Sequence, residues 1–150
     1  MELRIGVFTR LMTEITAQGS LRTRRVLTGL ANVVEKQAKT NASSGSHAYG
    51  TPTPASPGSG PARISGTLVK SITHTDIVPN GLGWECKVGT GAGFTSPYSK
   101  TPSSKYGLFL ETGLKNGATY PFLKPAAKFG WTVAAPALYR KEFGVGWKGI

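Results

Sequence analysis

The chain has 150 residues and a mass of 15.8 kDa, and its 18 Lys and Arg against 7 Asp and Glu give a net charge of +11. That length suits one domain over residues 1–150, able to bury about 68–70% of its unfolded surface without staples. The lone Cys86 excludes an internal disulfide framework and a zinc knuckle, and no apolar run approaches the roughly 18 residues of a membrane helix.

Residues 5–8 (IGVF) lack a basic region before them and meet Arg10 almost at once, so no signal peptide is expected. A protein made and kept in a cytosol, or packaged into a particle assembled there, fits these features. Apolar Phe8, Leu11, Met12 and Ile15 have the spacing of a helical stripe, while residues 2–7 fit a short strand equally well. Gly19-Ser20 breaks the pattern, with Ser20 as a candidate N-cap. Residues 21–40 predict an amphipathic helix. Leu27, Leu30, Ala31, Val34 and Ala38 fall on one face, and Thr28, Asn32, Glu35, Lys36 and Lys39 on the other. Gly29 inside it either weakens the helix or admits a neighbouring backbone.

Residues 41–65 change character: 4 Gly, 4 Pro and 6 Ser, with Arg63 as the only charge. Such a stretch cannot bury enough surface to offset its own ordering entropy, so it reads as a long loop or an arm that orders against a neighbour. Leu68 to Val78 is rich in β-branched residues and predicts a strand. Pro79-Asn80-Gly81 predicts the turn, and Trp84, Cys86 and Val88, alternating with Glu85 and Lys87, the returning strand. Residues 89–104 form a second Gly/Ser/Pro loop. Tyr106 to Leu110 is a short apolar segment, and Pro125 suits the first position of a helix carrying Ala126, Ala127, Phe129, Trp131 and Val133. Pro136 ends or restarts that helix, and an apolar tail follows, with Phe143, Val145, Trp147 and Ile150 spaced by glycines.

Catalysis finds little support. Ser71, His74 and Asp76 are near one another, but on a strand Ser71 points away from the other two. GTGAG at 89–93 lacks the GK[ST] ending of a phosphate loop. Neither a metal nor another cofactor is expected. The positive charge is spread along the chain and favours a polyanion or an acidic protein surface. Arg22, Arg24 and Arg25 at the helix start and Lys36 and Lys39 near its end are the candidate contacts to DNA or to an acidic partner, although no helix-turn-helix or other nucleic-acid-binding signature is present.

Three segments in order carry a resemblance: Gly58-x-Gly60-Pro61 with Ser65-Gly66-Thr67-Leu68-Val69-Lys70-Ser71-Ile72, then Tyr106-Gly107-Leu108-Phe109-Leu110-Glu111-Thr112-Gly113, then Pro121-Phe122-Leu123-Lys124-Pro125-Ala126. Together they resemble the neck, or head–tail joining, proteins of long-tailed bacteriophages. The resemblance implies an α+β fold, an antiparallel sheet packed against N-terminal and C-terminal helices, with long Gly/Pro/Ser-rich loops at 41–65 and 89–104. It also implies a non-enzymatic virion protein, assembled in the bacterial host cytoplasm, that forms a homo-oligomeric ring, a hexamer being one order. The ring would lie between head-side connector or stopper proteins and the tail terminator or tail tube, around the passing genomic DNA, with no membrane involved. A tail terminator of the same junction and a basic nucleic-acid-binding protein are the alternatives. In this frame Gly66, Leu68, Ile72, Phe122, Leu123 and Pro125 anchor the fold. Glu111 is expected to pair with Arg63 or Lys124 of an adjacent subunit, with Tyr106 at the same contact.

Overall fold

A computed structural model of the chain describes residues 2–4, 21–81 and 83–144. The expected stripe at Phe8, Leu11, Met12 and Ile15, the Ser20 cap and the tail residues Val145, Trp147 and Ile150 lie outside the described residues.

The first long element is helix α1, Leu21–Asn41. All five apolar positions of its predicted stripe are buried, and Thr23 and Val26 join them. The stripe is broader than predicted because α1 is packed from two directions. Strands contact it on one side, and on another the C-terminal helices run antiparallel along its length. These are α4 (Leu123–Phe129), a π-helical turn (Gly130–Ala134) and α5 (Ala135–Phe143). The pairing can be followed from Asn41, whose amide donates to the Phe122 carbonyl, to Arg25, 3.8 Å from Glu142.

Two glycines let these helices close up. A Cβ on Gly29 would lie 2.9 Å from Leu138 Cδ2, so the neighbour it admits is a side chain rather than a backbone. A Cβ on Gly130 would collide with Val34 Cγ2. After a π-helical turn the α-helix restarts at Ala135, with Pro136 in its first turn, in line with the expectation. Pro136 has no N–H to donate to a carbonyl four residues back, and the wider π turn just before it, closed by the Ala135 N–H to the Gly130 carbonyl, absorbs the defect.

The β-region is antiparallel throughout. Strands β1 (Glu2–Arg4), β5 (Lys87–Thr90) and β2 (Ile72–His74) form one sheet in the order β1-β5-β2, with Leu3 opposite Val88 and His74 opposite Val88 on the other side. Strands β3 (Val78–Asn80) and β4 (Gly83–Glu85) pair as a ribbon, with Asn80 opposite Gly83. The predicted hairpin is therefore present, but it is shifted by one residue between its two halves, as a bulge in residues 75–77 produces. The fold is α+β, as expected.

The strand predicted from Leu68 is corrected in its first half, because Thr67–Ser71 form a helical turn, α2. Gly66 caps this turn with φ +77°, a left-handed conformation that Val or Leu would resist, and Ser71 Oγ donates to the Leu68 carbonyl. The β-branched residues begin to act as a strand only at Ile72. The Tyr106–Leu110 segment lies within a helix, α3 (Ser103–Thr112). The core is formed by α1 with Ile72, Cys86, Val88, Leu110, Phe122, Leu123, Ala126, Ala135 and Tyr139. No helix among the described residues is long and apolar enough to cross a membrane.

Candidate interaction surface

Glu111 stands out because it is an acid in the interior, only 3% exposed. Its spacing on α3 explains the burial: Ser103, Gly107, Leu110 and Glu111 make the inward face of that helix. Glu111 Oε1 accepts the Phe122 N–H at 2.7 Å and also the Leu123 N–H. Those are unpaired donors at the start of α4, where a negative charge is also favoured by the helix dipole. This corrects the expected pairing with Arg63 or Lys124 of another subunit, and it also excludes a solvated acid: the carboxylate is used inside its own chain. Lys124 is exposed at the second position of α4. Pro125 is exposed at the third position rather than the first, so it anchors nothing by packing. It suits the first turn because it has no N–H to leave unpaired. Phe122 and Leu123 are fully buried anchors, Ile72 is likewise, and Leu68 packs against the core while remaining partly open.

Arg63 and Tyr106, the other two expected contact residues, lie on one surface. Both line a cleft of about 260 Å³, together with Gly66 and Leu68. The cleft forms where the two long loops fold over α2 and α3. Loop 41–65 is pinned by the His47 N–H to the Arg63 carbonyl at 3.0 Å and by the Gly58 N–H to the Thr119 carbonyl at 2.8 Å. The second loop is shorter than the expected 89–104, because β5 takes 89–90 and α3 takes 103–104; the Ser103 N–H to the Phe94 carbonyl at 2.8 Å closes it. The loops meet through Tyr49 and Tyr98, whose rings stack at 4.8 Å and 8°. Sequence reasoning missed Tyr49, Ile64, Tyr98 and Phe109 as members of this site. Large apolar residues isolated in Gly/Ser/Pro-rich stretches were the available signal. The Tyr106 phenol has its pKa raised, first by burial and then by Tyr120, so it stays a neutral donor.

The basic candidates on α1 are divided. The Arg24 guanidinium lies 5.3 Å from the Trp84 ring centroid, Arg25 faces Glu142, and Lys39 is 2.5 Å from Glu35. Arg22 and Lys36 are exposed. Glu35 also accepts from His74 Nδ1 at 2.5 Å. Burial pushes the Glu35 pKa up, but the hydrogen bonds and charges of Lys39 and His74 outweigh it, and the pKa falls below the usual value. His74 is thereby engaged away from Ser71. Cys86 is a buried free thiol, its pKa pushed up to about 11 first by desolvation and then by Glu85, which leaves it unreactive near neutral pH. No cluster of three or more His, Cys, Asp or Glu that could hold a metal occurs among the described residues.

Comparison with protein-family models, curated proteins and solved structures finds no significant match to this chain.

Proposed function

We propose that the chain is a structural subunit of the head–tail junction of a long-tailed bacteriophage, building by repetition a ring around the DNA channel and catalysing no reaction. One observation carries this reading. The three segments that resemble the neck proteins are packed into a single unit. Glu111 of the second holds the backbone of Phe122 and Leu123 in the third. A Cβ on Gly107 of the second would lie 3.5 Å from Leu68 in the first and 3.4 Å from Phe122. Contacts among all three segments are what a shared motif would require, and they support the reading. Ring closure requires heterologous contacts, in which two different faces of the subunit meet.

The test is assembly. Purified protein, alone and mixed with head and tail components, is examined by light scattering and electron microscopy, with a label locating the subunit. Discrete rings placed at the neck support the reading, and a label at the tail-side ring selects the tail terminator. A persistent monomer in the presence of all components, with mature particles lacking the chain, overturns it. The +11 charge with exposed Arg22 and Lys36 favours nucleic-acid binding as the second reading. Tight, steeply salt-dependent duplex binding by that monomer would select it.

A further inference from the structure

The cleft between the two loops combines an apolar floor with a rim of one charge. Of its lining residues only Arg63 is charged. Tyr106 and Phe109, one turn apart on α3, are left 40% and 39% exposed. Lys70, Lys100 and Lys105 are exposed, and each is next in the chain to a lining residue. The acids whose side chains are described are placed or occupied elsewhere. Glu35 is held by Lys39 and His74, and Glu142 faces Arg25. Glu85 follows Trp84, which meets Arg24 near the start of α1, about 25 Å by helix rise from Ala42 at the cleft. Asp76 lies in the bent part of the hairpin beyond His74, and Glu111 is buried.

We propose that this cleft docks an acidic peptide segment of a partner protein. One aromatic or large aliphatic side chain fills the floor, and flanking Asp or Glu residues meet Arg63, Lys100 and Lys105. The size fits such an anchor: about 260 Å³ is below the roughly 300–1,000 Å³ of small-molecule pockets, and takes one or two side chains. A second copy of this chain is disfavoured, because a +11 protein would bring cations onto a cationic rim. A nucleic-acid strand is less well matched, because mutual stacking of Tyr49 and Tyr98 uses one face of each ring and Arg63 is the only cation in the lining to meet a phosphate backbone. The inference stands whether or not the chain forms the ring proposed above, since it concerns the isolated subunit.

The experiment selects random displayed peptides on the full chain and counter-selects on the Tyr106→Ala/Phe109→Ala double variant, whose fold is checked by its melting curve. The expected winners carry an aromatic or large aliphatic residue flanked by acids. They lose about tenfold or more in affinity on the double variant, as removal of central anchors does. If the double variant fails to fold, Arg63→Glu and Lys105→Glu carry the test at exposed sites, with weaker binding and a flatter salt dependence expected. Winners without acids, equal binding to the variants, or no enrichment at all overturns the proposal. So does a loss on the double variant of binding to an oligothymidylate of about 12 nucleotides, or of self-association, in place of peptide binding. Absence of rings leaves these readouts untouched, so the two proposals fail separately.

Discussion

The two ends of α1 are built on opposite principles. Toward the middle and the N-terminal end, glycines at 29 and 130 remove side chains so that the C-terminal helices can close on α1. At the C-terminal end, loops with little apolar content fold over α2 and α3 and leave Tyr49, Ile64, Tyr98, Tyr106 and Phe109 between 39% and 61% exposed. The first region buries one face of each helix and leaves Leu21, Phe129 and Val133 exposed singly, whereas the second leaves a cluster of large side chains open around one cleft. The proposed docking surface is therefore separate from the packed core, and Glu111 marks the boundary. It is on the same helix as Tyr106 and Phe109 but faces the other way.

Substitutions across this boundary should part accordingly. The largest expected loss is from Phe122→Ala, about 4 kcal/mol, because it empties a fully buried site at the centre of the packed unit. Glu111→Ala leaves two helix-start N–H groups without an acceptor and should cost about 3 kcal/mol, or roughly 10 °C in Tm. Glu111→Gln keeps one acceptor oxygen and should cost about half as much. Thermal melts at neutral pH check all three. A Glu111→Ala protein with unchanged Tm and impaired assembly would return this acid to the subunit interface. Gly130→Ala should cost about 1–2 kcal/mol, overpacking offset in part by better helix propensity. Val34→Ala in the same chain should recover part of that loss, since the two sites share one contact, and a double-mutant cycle in denaturant measures the coupling.

How far the sequence carried these conclusions differs from element to element. The face of α1 was legible because apolar spacing alone decides it, as was the hairpin turn, where Asn80-Gly81 leaves the backbone few choices. Leu68–Ser71 misled because β-branching is a weak local preference, overridden here by Gly66 and by packing against α3. The burial of Glu111 had no local signal. An acid four residues after Gly107 is an ordinary helix-surface pattern until the start of α4 brings two unpaired N–H groups beside it. The cleft was half visible: Tyr106 stood in a motif and Arg63 was named as a charge partner for Glu111, but the cleft they both line is built by two loops with no periodicity to read.

The smallest effect lies at Glu35, midway along α1, and its pH dependence gives it a distinctive signature. Lys39 and His74 stabilise the charged carboxylate more than burial penalises it, so its folded pKa lies below its ordinary 4.5. A lowered acid contributes stability that is fully present above the unfolded pKa and is lost as pH falls through the folded one. The contribution of Glu35 should therefore be lost as pH falls through the acid range. Glu35→Gln should lower stability at neutral pH by at most about 1 kcal/mol, the range of partly solvated ion pairs. The difference between parent and variant should then shrink as pH drops below 4.5. Paired denaturant titrations at neutral and acid pH read this directly. A difference that grows on acidification would mean that burial, rather than Lys39 and His74, governs this carboxyl.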